Sequence, residues 1–170
     1  MEKSFSLTKK EIAKKTAVFS FLVGIAVLMP AFIHYQPITG TIINATLFIA
    51  VLVFAPEIAV LIGLLPSVVA LGSGLLPAPL VPMIPFIMIS NTILVLTFYF
   101  FKKKNFFAGV IAASFLKFLF LFSAGSIVIN LLIKKELASQ VALMMSWPQL
   151  LTALFGGLIA YFFYKAKLVK

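Results

Sequence analysis

The sequence contains no cysteine and no aspartate, and it has only four glutamates and one histidine, His34. Without cysteine there is no disulfide, no thiolate metal site and no cysteine nucleophile. The glutamates are far apart, which argues against paired-carboxylate catalysis and against the proton relay of a pump. One histidine cannot form an HExxH motif, and no Walker phosphate loop is present. We therefore expect no enzyme activity, no cofactor and no metal.

Charged residues are also scarce, at 11%, whereas 63% of the 170 residues are hydrophobic. A soluble protein averages about one charged residue in four, and a chain of this size cannot bury so many apolar side chains in one core. From Thr16 to Phe101 the only charged residue is Glu57. Lipid must therefore be the solvent of these apolar runs.

Proline, glycine and lysine divide the chain into six apolar segments, each long enough to cross a hydrocarbon core of about 30 Å as a helix. The runs are apolar on all sides, so they fit helices and not the alternating strands of a β-barrel. We predict one domain, residues 1–170, folded as an all-α bundle of six transmembrane helices. The predicted spans are Thr16–Tyr35, Ile38–Ala55, Ile58–Leu76, Pro82–Phe101, Phe106–Ile133 and Leu143–Tyr164. The prolines between Leu76 and Pro85 predict an extended outer loop.

The positions of the lysines predict the orientation of the bundle. Eleven of them lie at the two termini and in the 102–104 loop, whereas only Lys134 and Lys135 fall on the opposite side. Cytoplasmic loops carry an excess of lysine, so we predict an N-in, C-in, multi-pass protein of the inner (cytoplasmic) membrane. This clustering at the ends of apolar runs also argues against a nucleic-acid partner, despite a net charge of +10.

The remaining lysine, Lys117, lies inside the fifth predicted span, about 18 Å from its start. An ammonium at that depth faces the bundle interior and meets a carboxylate, a carbonyl or a ligand. The only acid near a predicted span is Glu57, at the opposite end of the third span, so a direct ion pair would be strained. Two interpretations remain open: Lys117 binds an anionic ligand, or it is a structural lysine bonded to helix-end carbonyls.

Other polar side chains collect toward the outer half of the predicted bundle, whereas the cytoplasmic half is aliphatic and rich in phenylalanine. Asn44 lies in span two about a turn deeper than the outermost polar residues, and Asn91 lies near the middle of span four. Trp147 and Gln149 open span six at its outer end. We predict that these four residues and Lys117 bind a substrate in an outward-facing cavity, with ordinary interhelical hydrogen bonding as the alternative.

A stripe of small residues follows one face of the first helix. Its members recur at positions i, i+4, i+7 and i+11 and are Ala13, Ala17, Ser20 and Gly24. Small side chains let another helix approach closely in lipid. The stripe serves either packing within the bundle or docking of another subunit.

The chain as a whole resembles the substrate-binding S component of energy-coupling factor (ECF) transporters, which are small six-helix membrane proteins. The resemblance rests on the length, the predicted orientation, the opening TKKEIAKKTA, and Ala13 with Ala17 as AxxxA. The segments QPITGTIINATLFIAVLVFAPEIAVLIGLLPSVVAL, LPAPLVPMIPF with Asn91 after it, and WPQLLTALFGG are similar to a branch of the family without an assigned substrate.

This resemblance implies ATP-driven uptake of a small micronutrient or vitamin-like molecule. A second membrane subunit, the T component, and two cytoplasmic ATPases would energise transport, and Ala13 and Ala17 would dock against the T component. The family's ligands sit in an outward-facing pocket formed largely by helices four to six and the outer loops. We find no pocket motif for thiamine, riboflavin, biotin or folate, and the sequence offers poor ligands for cobalt or nickel.

Two other interpretations remain. The chain would be a membrane-embedded structural or anchoring subunit of another complex, such as a redox assembly, if Lys117 and the small stripe serve packing alone. A self-contained channel or carrier is disfavoured, because the chain is short and has no inverted halves.

Overall fold

A computed structural model of the protein describes residues 9–33, 35–72, 78–132 and 135–166, and all regular structure in these ranges is helical. The predicted all-α class is therefore confirmed. The helices are α1 (Lys9–Phe32), α2 (Gln36–Val53), α3 (Pro56–Gly72), α4 (Ile84–Phe101), α5 (Phe106–Leu132), α6 (Lys135–Met144) and α7 (Trp147–Lys165), and a 3₁₀ helix (Ala78–Met83) precedes α4.

Five stretches of the described chain are helices long and apolar enough to cross a membrane. They are α1, α2, α4 with the end of the preceding turn, α5, and residues 141–165, which end in α7. Helix α3 is as apolar as these but has only 17 residues, which is the lower limit of the roughly 17–25 residues that cross a hydrocarbon core. This composition is that of a multi-pass membrane protein.

Most helix boundaries lie within a few residues of the predicted spans, and two helix starts differ more. Helix α1 begins at Lys9, before the predicted start of the membrane span at Thr16, because lysine and alanine favour a helix whether or not it lies in lipid. The last predicted span starts at Leu143, but the helix is interrupted close to that point. Helix α6 ends at Met144, and α7 starts at Trp147. Pro148 lies in the first turn of α7, where a missing backbone N–H costs nothing and the fixed φ favours a helix start.

The predicted extended loop between spans three and four is wrong for its second part. Residues Ala78–Met83 form a 3₁₀ helix, since the φ value fixed by proline also suits a 3₁₀ turn. Residues 73–76 at the predicted end of span three, residue 77 in the predicted loop, and residue 133 at the predicted end of span five lie outside the described residues.

Helix α2 occupies the centre of the bundle, where it contacts α1, α3, α4 and α7, and α5 packs against α4 and α7. Two glycines let α7 approach closely. A Cβ atom on Gly156 would lie 2.7 Å from the backbone nitrogen of Ala45 and 2.7 Å from Cβ of Asn44, and one on Gly157 would lie 2.2 Å from a methyl group of Val110. Close packing of α7 against α2 therefore depends on glycine at a point where α2 carries Asn44.

We call the end of the bundle that carries the lysines of the 102–104 loop the lysine end. Apolar side chains pack against one another there. The ring of Phe98 stands edge-on to those of Phe48 and Phe106, at centroid distances of 4.8 Å and 5.3 Å. Lys102, just after α4, donates a hydrogen bond to the carbonyl of Val51 near the end of α2. Partial burial lowers the pKa of Lys102 below its ordinary value, and the neighbouring Lys103 lowers it further.

Candidate functional site

A cavity of about 250 Å³ lies toward the other end of the bundle, between α1, α2, α3, α4, α5, the end of α6 and the start of α7. Most of its wall is apolar, and the polar side chains that line it are Gln36, Thr39, Asn44, Ser67, Asn91, Lys117 and Gln149. The lining residues include one cation and no carboxylate. Ligand pockets commonly combine an apolar wall with a few convergent polar groups in this way.

Lys117 lies near the middle of α5 and is only 4% exposed. Its Nζ donates two hydrogen bonds, both 2.7 Å long, to the side-chain oxygens of Asn44 on α2 and Asn91 on α4. Both asparagines are buried as well, at 1% and 3% exposure. The predicted structural alternative, bonding to helix-end carbonyls, is thus corrected: the partners are side-chain amides in the middle of two neighbouring helices. We call Lys117, Asn44 and Asn91 the polar triad.

The amide groups of the triad are oriented by bonds on their far side. Nδ2 of Asn91 donates to the carbonyl of Gly63 on α3, at 2.8 Å, and Nδ2 of Asn44 donates to the hydroxyl of Thr152 on α7, at 3.3 Å. Since an ammonium has only donors, each amide must turn its oxygen toward Lys117. The triad and its outer partners therefore join five helices, α2, α3, α4, α5 and α7.

The bend-prone part of α3 supplies the outer partner of Asn91. Pro66 has no backbone N–H to donate to the carbonyl of Ile62 one turn before it, so the regular hydrogen bonding of α3 is interrupted there. In a membrane, side chains of neighbouring helices support such weakened segments. The bond from Asn91 goes to the next carbonyl along the chain, that of Gly63, and ties α4 to α3 within the turn before Pro66.

The charge of Lys117 has hydrogen-bond acceptors but no counter-ion within the triad. Glu57 is exposed in the first turn of α3, at the lysine end, which agrees with the expectation that it does not pair directly with Lys117. Two of the three N–H donors of an ammonium are used by the asparagines. The third donor belongs to a side chain that lines the cavity.

The rim of the cavity is tied together at Met144, the last residue of α6. Its carbonyl accepts hydrogen bonds from Nε2 of Gln36 on α2, at 3.2 Å, and from Nε2 of Gln149 on α7, at 3.0 Å. The last carbonyls of a helix have no partner within the helix. The two glutamines donate hydrogen bonds to such a carbonyl, that of Met144, and they join α2, α6 and α7 at the rim.

Four of the five predicted substrate-binding residues thus line one cavity: Lys117, Asn44, Asn91 and Gln149. Trp147 does not. The residue is 58% exposed, and it lines an adjoining groove between α2, α6 and α7, which shares Gln36 and Met144 with the cavity. The sole histidine, His34, lies outside the described residues.

Sequence reasoning missed Ser67, which lines the cavity and is 7% exposed. Serines within apolar helices usually donate to a carbonyl of their own helix, as Ser126 does to Phe122. The Ser67 hydroxyl makes no such bond, nor any other hydrogen bond within the described part of the chain. The position after Pro66 was the available signal, because the local helix bonding is disturbed there.

The small stripe of α1 does not pack inside the bundle. Ala13, Ala17 and Ser20 are exposed and Gly24 is partly so, and a Cβ atom on Gly24 would have no heavy atom within 4 Å. The side of α1 that faces the core is formed by Leu22 and Ala26. The prediction that the stripe packs inside the bundle is therefore wrong.

No protein-family model, curated protein or solved structure matches the chain. Among the described residues, no three His, Cys, Asp or Glu side chains are grouped so as to hold a metal ion. The polar triad and its cavity therefore carry the functional interpretation on their own geometry.

Proposed function

We propose that this protein is the substrate-capturing S component of an ECF-type ABC transporter, which binds a small micronutrient or vitamin-like molecule for uptake driven by partner subunits. The observation that carries the proposal is the polar triad at a cavity inside an otherwise apolar bundle. Lys117, Asn44, Asn91 and Gln149 are the proposed substrate-binding residues. Trp147 lines the neighbouring groove and not this cavity.

The cost of the triad supports a binding role. An ammonium buried in a membrane protein is expensive even when it is hydrogen-bonded, so such residues mark substrate or ion pathways. If the triad served packing alone, apolar side chains of similar volume would be at least as stable. Because Lys117 lines the cavity, a ligand in the cavity can contact its charged ammonium group.

The proposed orientation gives the cavity access to substrate. We place six spans in the inner (cytoplasmic) membrane, with α3 as the sixth; a helix this short is accommodated by local thinning of the bilayer. Both termini and the lysine end then face the cytoplasm, in accordance with the lysine distribution. The cavity, which lies toward the other end of the bundle, opens outward.

The proposed partners are a T component in the membrane and two cytoplasmic ATPases. The sequence contains no phosphate-binding loop, so energy for uptake must come from another chain. The exposed face of Ala13, Ala17, Ser20 and Gly24 offers a place where a partner helix can approach α1 closely. We propose that the T component docks on this face.

A structural or anchoring subunit of another complex, such as a redox assembly, is the second candidate. It is favoured by one observation: both bonds of Lys117 go to side chains of the same protein, as in a purely structural network. Under this alternative, neither ATPases nor a small molecule would accompany the chain.

Affinity isolation from native membranes, followed by mass spectrometry of the accompanying proteins, separates the two candidates. The wild-type chain should bring down a second membrane subunit and two ATPases. Ala17→Trp should remain monodisperse but lose these partners, because an indole ring on the exposed stripe holds a facing helix away. Ala108→Trp, the same change on an exposed position of α5, is the matched control and should keep them.

Recovery of redox subunits instead of ATPases would refute the transporter assignment. If Ala17→Trp keeps all partners, the transporter assignment stands, but the proposal that the T component docks on the stripe is refuted.

A further inference from the structure

We propose that the cavity selects a small organic acid, binding its anionic group through Lys117 and Ser67 and excluding cations. This inference rests on the proposed function only in requiring that the cavity receives a ligand from outside. It concerns the charge and chemical class of that ligand, which the transporter assignment leaves open.

The first argument is the charge balance of the cavity. Among the residues that line it, Lys117 is the only one with a charged side chain, and its two bonded partners are neutral amides. The asparagines satisfy hydrogen bonds but leave the positive charge uncompensated. An anion that enters this space neutralises the charge where water is scarce and electrostatic interactions are strong. A cation would meet a like charge with no carboxylate to offset its desolvation.

The second argument is the set of donors that remains. The rim glutamines donate to the carbonyl of Met144, and Thr39 donates to that of Ile33. Lys117 keeps a third N–H, the Ser67 hydroxyl has no partner among the described residues, and each rim glutamine keeps a second amide N–H. A single positive charge with unused donors around it suits the two oxygens of a carboxylate.

The third argument is size and polarity. At about 250 Å³ the cavity is below the range of roughly 300–1,000 Å³ that is usual for drug-sized ligands. Its remaining wall includes Ile43, Ala70 and Ile87. The ligand is therefore a compact acid with a largely apolar body.

The experiment exploits the absence of native cysteine. Ser67→Cys places one thiol at the cavity with little change in volume. The purified variant is treated with two methanethiosulfonate reagents, one carrying an ethylsulfonate anion and the other an ethyltrimethylammonium cation. In each case the thiolate attacks the reagent's thio sulfur, a mixed disulfide forms and methanesulfinate leaves. Measuring both rates by mass spectrometry gives an anion-to-cation rate ratio that does not require the natural ligand.

We expect the anionic reagent to react with Ser67→Cys at least about tenfold faster than the cationic one, which is a difference of about 1.4 kcal/mol. Adding Lys117→Gln, which removes the charge but keeps two N–H donors, should bring the ratio close to that of a control thiol. The control is Ser146→Cys, which follows Met145 but does not line the cavity. Lys117→Met provides a second neutral background.

An equal or faster reaction with the cation in Ser67→Cys overturns the proposal, as does a ratio that survives the loss of Lys117. A thiol unreactive toward both reagents also overturns it, because the cavity would then be closed to small molecules from water. The Ser67→Cys ratio is decisive by itself if the Lys117 variants fail to fold. Anion preference in a chain that isolates without ATPases would refute the transporter and leave the present inference standing.

Discussion

Lys117→Met should destabilise the protein, although a buried charge is removed. Methionine has nearly the same length but no donor, so the side-chain oxygens of Asn44 and Asn91 lose their hydrogen bonds while remaining almost fully buried. A bond between membrane helices contributes on average about 0.6 kcal/mol and at most about 1.7 kcal/mol. Two bonds therefore give a loss of roughly 1–3 kcal/mol in the free energy of unfolding. For a chain of this length each kcal/mol shifts Tm by about 2–4 °C, so Tm should fall by about 2–12 °C.

The assay is thermal unfolding of purified protein in a single detergent, followed by circular dichroism. The matched control is Lys104→Met, which removes an exposed lysine of the 102–104 loop and should change stability by no more than about 0.5 kcal/mol. In an Asn44→Leu background the loss caused by Lys117→Met should shrink, since one bond is already absent. An unchanged or raised Tm for Lys117→Met would refute the reasoning, because the cost of burying the charge would then exceed the value of both bonds.

Two further predictions concern topology and helix packing. A reporter fused after Tyr164 and one inserted in the 102–104 loop should both report the cytoplasm, as the lysine asymmetry requires; an external signal at either site would exclude the proposed orientation. Gly156→Ala should cost about 1–3 kcal/mol, measured as a lower Tm, because the new methyl group would lie 2.7 Å from atoms of α2. Gly24→Ala, with no atom within 4 Å, should be neutral or stabilising by up to about 1 kcal/mol, and equal effects of the two changes would contradict the close packing of α7.

Hydrophobic runs predicted α2, α4 and α5 to within a few residues, because a helix in lipid must be apolar over its whole length. Hydropathy does not mark every helix boundary. The lysines before Thr16 end the apolar run but not α1, because lysine continues a helix readily. The break between α6 and α7 lies between apolar segments and is set by Pro148, not by hydropathy.

For the candidate site, depth in the bilayer was the informative quantity. Lys117, Asn44 and Asn91 are each polar in the interior of a predicted span, which predicts a shared site, and all three meet at one cavity. Their mutual bonds could not be predicted, because these depend on the rotation of three helices relative to one another. Trp147 and Gln149 are two residues apart, hence about 200° apart around α7, and only Gln149 lines the cavity.

The central claim, that the polar triad binds a small substrate, is tested most directly by what the protein carries out of its native membrane. Wild type and Lys117→Gln are isolated in the same detergent, and the small molecules released on denaturation are quantified by mass spectrometry. We predict that one organic acid accompanies the wild-type chain in near-stoichiometric amount and is depleted at least about tenfold in Lys117→Gln, as the loss of a charge-assisted hydrogen bond of about 1.5–3 kcal/mol requires. Equal recovery of that compound from both proteins, or no compound enriched with the wild type, would contradict the claim.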